Sequence, residues 1–169
     1  MDDVNLALTL PTGSVILRRA GLQDLSAIVG LLADDSIGAS RGDAGRLVDR
    51  PAYERAFAAI DADPAHKLLV ATSLPGEILA TMQLTVIPGL ARVGSSRLQI
   101  EAVRVRSDQR GRGIGGAMIG WAVDNASTFG AQLVQLTSDA ARVDAHRFYE
   151  RLGFTASHVG FKRSVPAPS

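Results

Sequence analysis

Cysteine is absent from this 169-residue chain, which excludes disulfides, thiolate metal sites and a cysteine nucleophile together. A dominant charge is absent as well: 18 basic residues stand against 17 acidic ones, for a formal net charge of +1. Nucleic acid and anionic membrane surfaces call for a basic excess, so neither is expected as the main partner. No apolar run approaches the roughly 18 residues that a membrane span needs. The opening Met1-Asp2-Asp3-Val4 lacks the basic-then-apolar layout of a secretory signal, so a cytoplasmic location is the expectation. Internal repeats and low-complexity linkers are also missing. What is present is ordinary globular composition, 46% hydrophobic, at a length that suits one domain over 1–169 with its core at about 14–165.

Periodicity lays out an α/β chain. Residues 1–13 read as a loose lead-in and Pro166 to Ser169 as a frayed tail. Val15-Ile16-Leu17 is a first strand, and Leu22, Leu25, Ile28, Val29 and Leu32 recur at helical spacing. Asp34 to Arg50 is rich in Gly, Ser and charge and reads as a loop; Pro51 then suits the first turn of a helix whose Tyr53, Ala56, Phe57 and Ile60 share a face. Strands at Lys67–Thr72 and Ile78–Ile87 flank a hairpin turn at Leu74 to Glu77. A fourth strand, Arg97–Arg106, alternates with Leu98, Ile100 and Ala102 and then with Val103 and Val105. Its phase slips by one position near Ala102, as a β-bulge would make it; a strand buried on both faces would also tolerate the slip. A helix over about Gly113–Thr128 follows, then a strand through Gln132–Thr137, a helix over about Arg142–Leu152 stopped by Gly153, and a strand pair around Phe154–Ser164. The sum is a mixed sheet with helices on both faces.

Between the slipped strand and its helix lies Gln109-Arg110-Gly111-Arg112-Gly113-Ile114-Gly115-Gly116. Glycines allow close backbone approach to a ligand, and the first N–H groups of a helix attract an anion. The turn therefore reads as a phosphate site. A Walker A loop is excluded, since no Gly-Lys-Ser/Thr follows. Gly111, Gly113 and Gly116 do match the dinucleotide fingerprint, and Asp139 could mimic its ribose-binding acid. Too little chain follows Asp139 for the rest of such a domain, however, and Arg106 to Arg110 separate strand from glycine where that fold needs a tight turn.

The segment from Val103-Arg104-Val105 through Arg110-Gly111-Arg112-Gly113-Ile114-Gly115 resembles the acetyl-CoA motif R/Q-x-x-G-x-G/A of the GNAT superfamily of N-acetyltransferases. Ala145 to Phe154, with Tyr149-Glu150-Arg151-Leu152-Gly153-Phe154, is similar to that family's second signature. The resemblance implies the GNAT-like acyl-CoA N-acyltransferase fold, in which the bulged fourth strand parts from its parallel neighbour and the pantetheine arm of acetyl-CoA lies in the gap. By carry-over, the backbone of Val103, Arg104 and Val105 would bond that arm as an added strand does. The turn from Arg110 and Gly111 through Arg112, Gly113, Ile114, Gly115 and Gly116 would hold the pyrophosphate. Many members carry Asn seven residues before the motif tyrosine; here the position is Arg142, which puts that contact in doubt.

The implied chemistry is direct attack of a primary amine on the thioester. Glu101, on the bulged strand, is the candidate base and Tyr149 the candidate acid toward the departing thiol, while a backbone N–H near Val103 would meet the oxyanion. The bland readings are an exposed strand glutamate and a core aromatic beside Phe148. His146 reads as a helix-surface residue, and His66 and His158 lack metal-ligand spacing, so no metal is expected. Asp34, Asp35, Asp43 and Asp49 could attract a cationic amine or be a solvated loop. The acceptor, a small-molecule or peptide amine, stays open, as does homodimerisation; a non-catalytic acyl-CoA-binding domain is the alternative function.

Overall fold

Alternating apolar residues need a partner strand on each side, and the chain supplies them in simple sequence order. In the computed structural model, which describes residues 4–34 and 49–165, the chain divides into two compact units, Met1–Leu136 and Thr137–Ser169. The first contains β1 (Asn5–Thr9), β2 (Ser14–Arg19), α1 (Leu25–Ala33), α2 (Arg50–Ala62), β3 (His66–Thr72), β4 (Ile78–Ile87), β5 (Ser96–Val105), α3 (Ile114–Asp124) and β6 (Ala131–Leu136). Its strands form one sheet in the order β1-β2-β3-β4-β5-β6. Every pairing is antiparallel except β5 with β6, which is parallel.

The two faces of β3 show how the sheet is filled. Leu68 and Val70 face one way and join Ala20, Leu25, Ile28 and Phe57 in a cluster that seats α1 and α2. Leu69 faces the other way, and with Met82, Leu84, Leu98 and Ile100 it is fully buried. The helix α3 contacts β1, β4 and β5 and buries Ile114, Met118 and Ile119, closing that second face. Burial on both faces explains the near-continuous apolar run of β3.

Three expectations need correcting. The supposed lead-in contains β1, where Leu6 lies opposite Leu17 and Leu8 opposite Val15. The slipped strand is therefore the fifth in chain order, not the fourth. The supposed strand pair at Phe154–Ser164 is neither strand nor helix, and Val159 and Phe161 are exposed there. Alternation makes a segment competent to pair, but only a ladder makes it a strand. The helix expected to reach Thr128 ends at Asp124, where Asn125 Nδ2 donates to Trp121 O at 2.8 Å and a short 3-10 turn, Ala126–Phe129, takes over. Asp35 and Asp43 lie outside the described residues.

A half-buried ion pair ties β2 to the entrance of α1. Arg18 Nη1 and Nη2 donate to the two oxygens of Asp24 at 2.6 and 2.9 Å, and the Gly21 N–H donates to Asp24 Oδ2 at 2.8 Å. The Arg18 guanidinium and then the Gly21 N–H hold the Asp24 carboxyl below its usual range, against the opposing effect of burial. A group whose folded pKa is lowered contributes fully above its unfolded value, about 3.9, and loses that contribution as pH falls through the folded value. Asp24→Asn should therefore cost about 1.5–3 kcal/mol in urea unfolding at pH 7. The gap from wild type should narrow in matched measurements taken progressively below about pH 4. An unchanged gap at low pH would remove the ion pair from the account.

Candidate active site

The slip in β5 is a bulge. Gln83 lies opposite Glu101 and Thr81 opposite Arg104, so Met82 faces both Ala102 and Val103. Ala102 takes the left-handed conformation, φ 52°, which non-glycine residues rarely adopt. Because of the extra residue, Glu101 and Arg104 occupy the same face although they are an odd number apart. Without it, period two would send them to opposite faces.

The parallel ladder ends just before the bulge: the last paired residues of β5 and β6 are Ile100 and Leu136. Beyond that point, Arg106 N–H donates to Leu79 O at 2.8 Å, so alternation turns the N–H and C=O of Val105 away from β4. The carbonyls of Val103 and Val105 are occupied by guanidinium groups, Arg104 Nη1 at 2.9 Å and Arg110 Nε at 3.1 Å. Glu101 is exposed and its carboxylate has no hydrogen bond or ion pair among the described residues.

The glycine turn comes next along the chain. Gly111 and Gly113 have φ of 77° and 88°, and Gly113 caps α3 in the left-handed region. Ala117 N–H bonds Gly113 O at 2.9 Å, which begins the helix and leaves the N–H groups of Ile114, Gly115 and Gly116 without an intrahelical acceptor. Charged side chains fix this turn from both sides. Arg106 clamps Asp108 at 2.6 and 3.0 Å, which holds that carboxyl at about 2. Arg110 donates to Asp34 O at 3.0 Å and lies 3.6 Å from the Asp34 carboxylate. So Arg110 braces the turn against the end of α1, with Asp34 as its partner. Arg112 is exposed. A Cβ at Gly113 would stand 2.9 Å from Pro11 Cδ, a contact that nothing local in the sequence announces.

The second unit carries Arg142 and Tyr149. In α4 (Val143–Arg151), Gly153 N–H bonds Glu150 O at 3.0 Å and Phe154 N–H bonds Tyr149 O at 3.1 Å. With Gly153 at φ 86°, this is a Schellman ending, and the Tyr149 and Phe154 rings meet edge-on at 6.2 Å across it. The signature Tyr-Glu-Arg-Leu-Gly-Phe thus has a structural meaning of its own. Arg142 is the N-cap residue of α4, and His146 Nε2 is bonded to Asp139 O at 2.8 Å. Among the described residues, no group of three or more His, Asp or Glu could hold a metal.

Comparison with known proteins decides the family: the model of the Acetyltransferase (GNAT) family matches residues 37–154. The chain belongs to the GNAT family of acetyltransferases. A curated relative, the aminoalkylphosphonate N-acetyltransferase of Salmonella typhimurium, is 37% identical over 67 residues, which cover 40% of this chain and only 44% of that relative. A solved structure described as a transcriptional regulator from Bacillus halodurans C-125 is 43% identical, with TM-score 0.82 over 89% of this chain and 99% of that one. The glucosamine-6-phosphate N-acetyltransferase of Arabidopsis thaliana shares the fold, with 20% identity, TM-score 0.70 and coverage of 89% and 97%. This GNAT chain thus shares its fold with proteins of that family.

The bulge yields a direct test. Ala102→Gly should leave unfolding stability within about 1 kcal/mol, because relief of the left-handed strain is offset by glycine's backbone entropy. Ala102→Val should cost about 1–3 kcal/mol, since a β-branched side chain tolerates that conformation poorly. Equal stability of the valine variant and wild type would mean that no left-handed residue stands there.

Proposed function

We propose that this protein is an acetyl-CoA-dependent N-acetyltransferase, a single catalytic domain over 1–169 that acts in the cytoplasm on a small-molecule or peptide amine. The observation that carries the reading is the succession of three features in one stretch of chain. The β5–β6 ladder ends at Ile100, the bulge follows Glu101, whose carboxylate has no partner among the described residues, and a glycine-capped helix N-terminus follows at Gly113. Family membership supports it. Among the described residues, no helix is long and apolar enough to cross a membrane.

In this reading the first N–H groups of α3, from Ile114 to Gly116, receive the pyrophosphate, with Arg112 adding charge from the exposed side of the turn. Arg110 acts by holding the turn in shape. The N–H groups at Val103 and Val105 face the pantetheine arm and the thioester oxygen. Glu101 takes the proton of the attacking amine, the N–C bond forms, the C–S bond breaks, and Tyr149 protonates the departing sulfur. Arg142 stands where many members of the family carry Asn and would approach the arm as a cation. No metal is required, nucleic acid has no role, and a homodimer is compatible with this scheme.

The decisive assay is thiol release from acetyl-CoA across primary amines, 2-aminoethylphosphonate among them because the Salmonella relative is named for that class. Acetyl-CoA should also raise the melting temperature more than NAD does. Glu101→Gln should keep that shift and lose about 10²-fold or more in turnover, recovering partly at high pH, where the amine is already neutral. Tyr149→Phe keeps the ring contact with Phe154 and removes only the hydroxyl; it should fold normally and lose about 10²–10⁴-fold in kcat. Wild-type rates in both variants would end the acid–base assignment. Acetyl-CoA binding with no turnover of any amine would favour the binding-only alternative.

A further inference from the structure

A row of polar residues crosses the sheet beside Glu101. His66 lies opposite Thr85, Thr85 opposite Gln99, and Gln99 opposite Gln135, so one register line runs through β3, β4, β5 and β6. Two bonds tie its halves: His66 Nδ1 to Thr85 Oγ1 at 2.9 Å, and Gln135 Nε2 to Gln99 Oε1 at 2.6 Å. Glu101 is two residues beyond Gln99 on β5 and therefore on the same face.

A solvated strip of sheet would not look like this. Gln99 is only 7% exposed, and buried polar groups are informative because each needs a partner. A carboxamide nitrogen carries two hydrogens. Among the described residues, Gln99 Nε2 has only the Ile100 carbonyl, at 3.4 Å, which leaves a buried donor with capacity to spare. The cover stops nearby: α1 and α2 rest on Leu68 and Val70, which follow His66 on the same face of β3. The row therefore lies at the margin of the helical cover, half-buried and next to an exposed carboxylate.

We infer that the row His66–Thr85–Gln99–Gln135 is an acceptor subsite that selects amines carrying a neutral hydroxyl or amide group; this rests on the acetyltransferase reading given above. The row offers donors and acceptors but neither a carboxylate nor a guanidinium of its own. At its outer end the exposed Asp63 carboxylate accepts from the Ala65 N–H at 2.8 Å and lies 3.8 Å from His66 Nε2. Arg97, two residues before Gln99, and Arg104, on the face of Glu101, flank the row with positive charge, while the four residues that make the row itself are hydroxyl, amide and imidazole groups suited to a neutral partner. Two residues along a strand span about 7 Å. An amine at Glu101 would bring a hydroxyl some four carbons away onto the row, where Gln99 Nε2 donates to it and Thr85 or Gln135 accepts from it.

The test uses four matched acceptors: 4-amino-1-butanol, butylamine, 1,4-diaminobutane and 4-aminobutyrate. For each, kcat/KM is measured at saturating acetyl-CoA, and affinity is measured in parallel by calorimetry on the CoA-bound protein. The amino alcohol should exceed each of the others by about three- to tenfold, the worth of one well-made hydrogen bond to a neutral group. Thr85→Val and Gln99→Met should each bring the ratio of amino alcohol to butylamine close to one, with thermal unfolding reported for both. Thr85→Val, at a half-exposed position, keeps the test valid should Gln99→Met unfold. A preference for the diamine, the acid or plain butylamine would overturn the subsite, as would an unchanged ratio in a folded variant. If no amine is turned over, the acetyltransferase reading fails, and the calorimetric order of the four acceptors still decides the subsite.

Discussion

The left-handed backbone at Ala102 is the constraint on which the rest of the site depends. An L-residue gives up about 1–2 kcal/mol in that conformation. It persists here because ladders on both sides dictate it: Arg97–Glu101 pair with β4 before it, and Arg104 and Val105 pair after it. The extra residue lets β5 bend and re-aims every side chain beyond Ala102. It is also what puts Glu101 and Arg104 on a common face. The end of the β5–β6 ladder at Ile100 falls immediately before it. Strain, opening and carboxylate are therefore one local event.

The glycine turn depends on a different kind of hold. Its flexible residues would not by themselves present helix N–H groups in a fixed direction. Two guanidinium groups supply the rigidity, Arg106 gripping Asp108 within the turn and Arg110 gripping Val105 O and Asp34. The arginines that make the motif look like a charge cluster thus divide their labour. Arg110 shapes the turn, Arg112 stays exposed, and the backbone N–H groups of α3 carry the proposed anion contact. A turn of this kind favours an anion through fixed dipoles, with no side chain that must reorganise on binding.

The legible part of the fold is whatever leaves a local imprint. The bulge is readable because period two has no tolerance: one extra residue reverses every later side chain, and the sequence around Ala102 records the reversal. Gly113 and Gly153 are readable because only glycine takes a left-handed cap cheaply. The β1 strand escapes such a reading although Leu6 and Leu8 alternate, because five residues beside an acidic start carry little signal. The Phe154–Ser164 segment misleads the other way, its alternation being real but unpaired. Arg110's hold on Asp34, Pro11's approach to Gly113 and the bond between Gln99 and Gln135 join residues far apart in sequence. Only tertiary packing and strand register bring them together, and no periodicity encodes either. The motifs name the candidate site residues; the structure adds what their side chains touch.

The central claim is that the backbone of β5 beyond the bulge receives the acyl donor. Amide hydrogen exchange, resolved residue by residue with and without acetyl-CoA, tests it most directly. The N–H groups of Val103, Val105 and Ile114 to Gly116 should slow markedly when acetyl-CoA is present. Those of Leu98 and Ile100, already within the ladders, should change little. Unaltered exchange at Val103 and Val105, under conditions where acetyl-CoA is shown to be bound, would contradict the account.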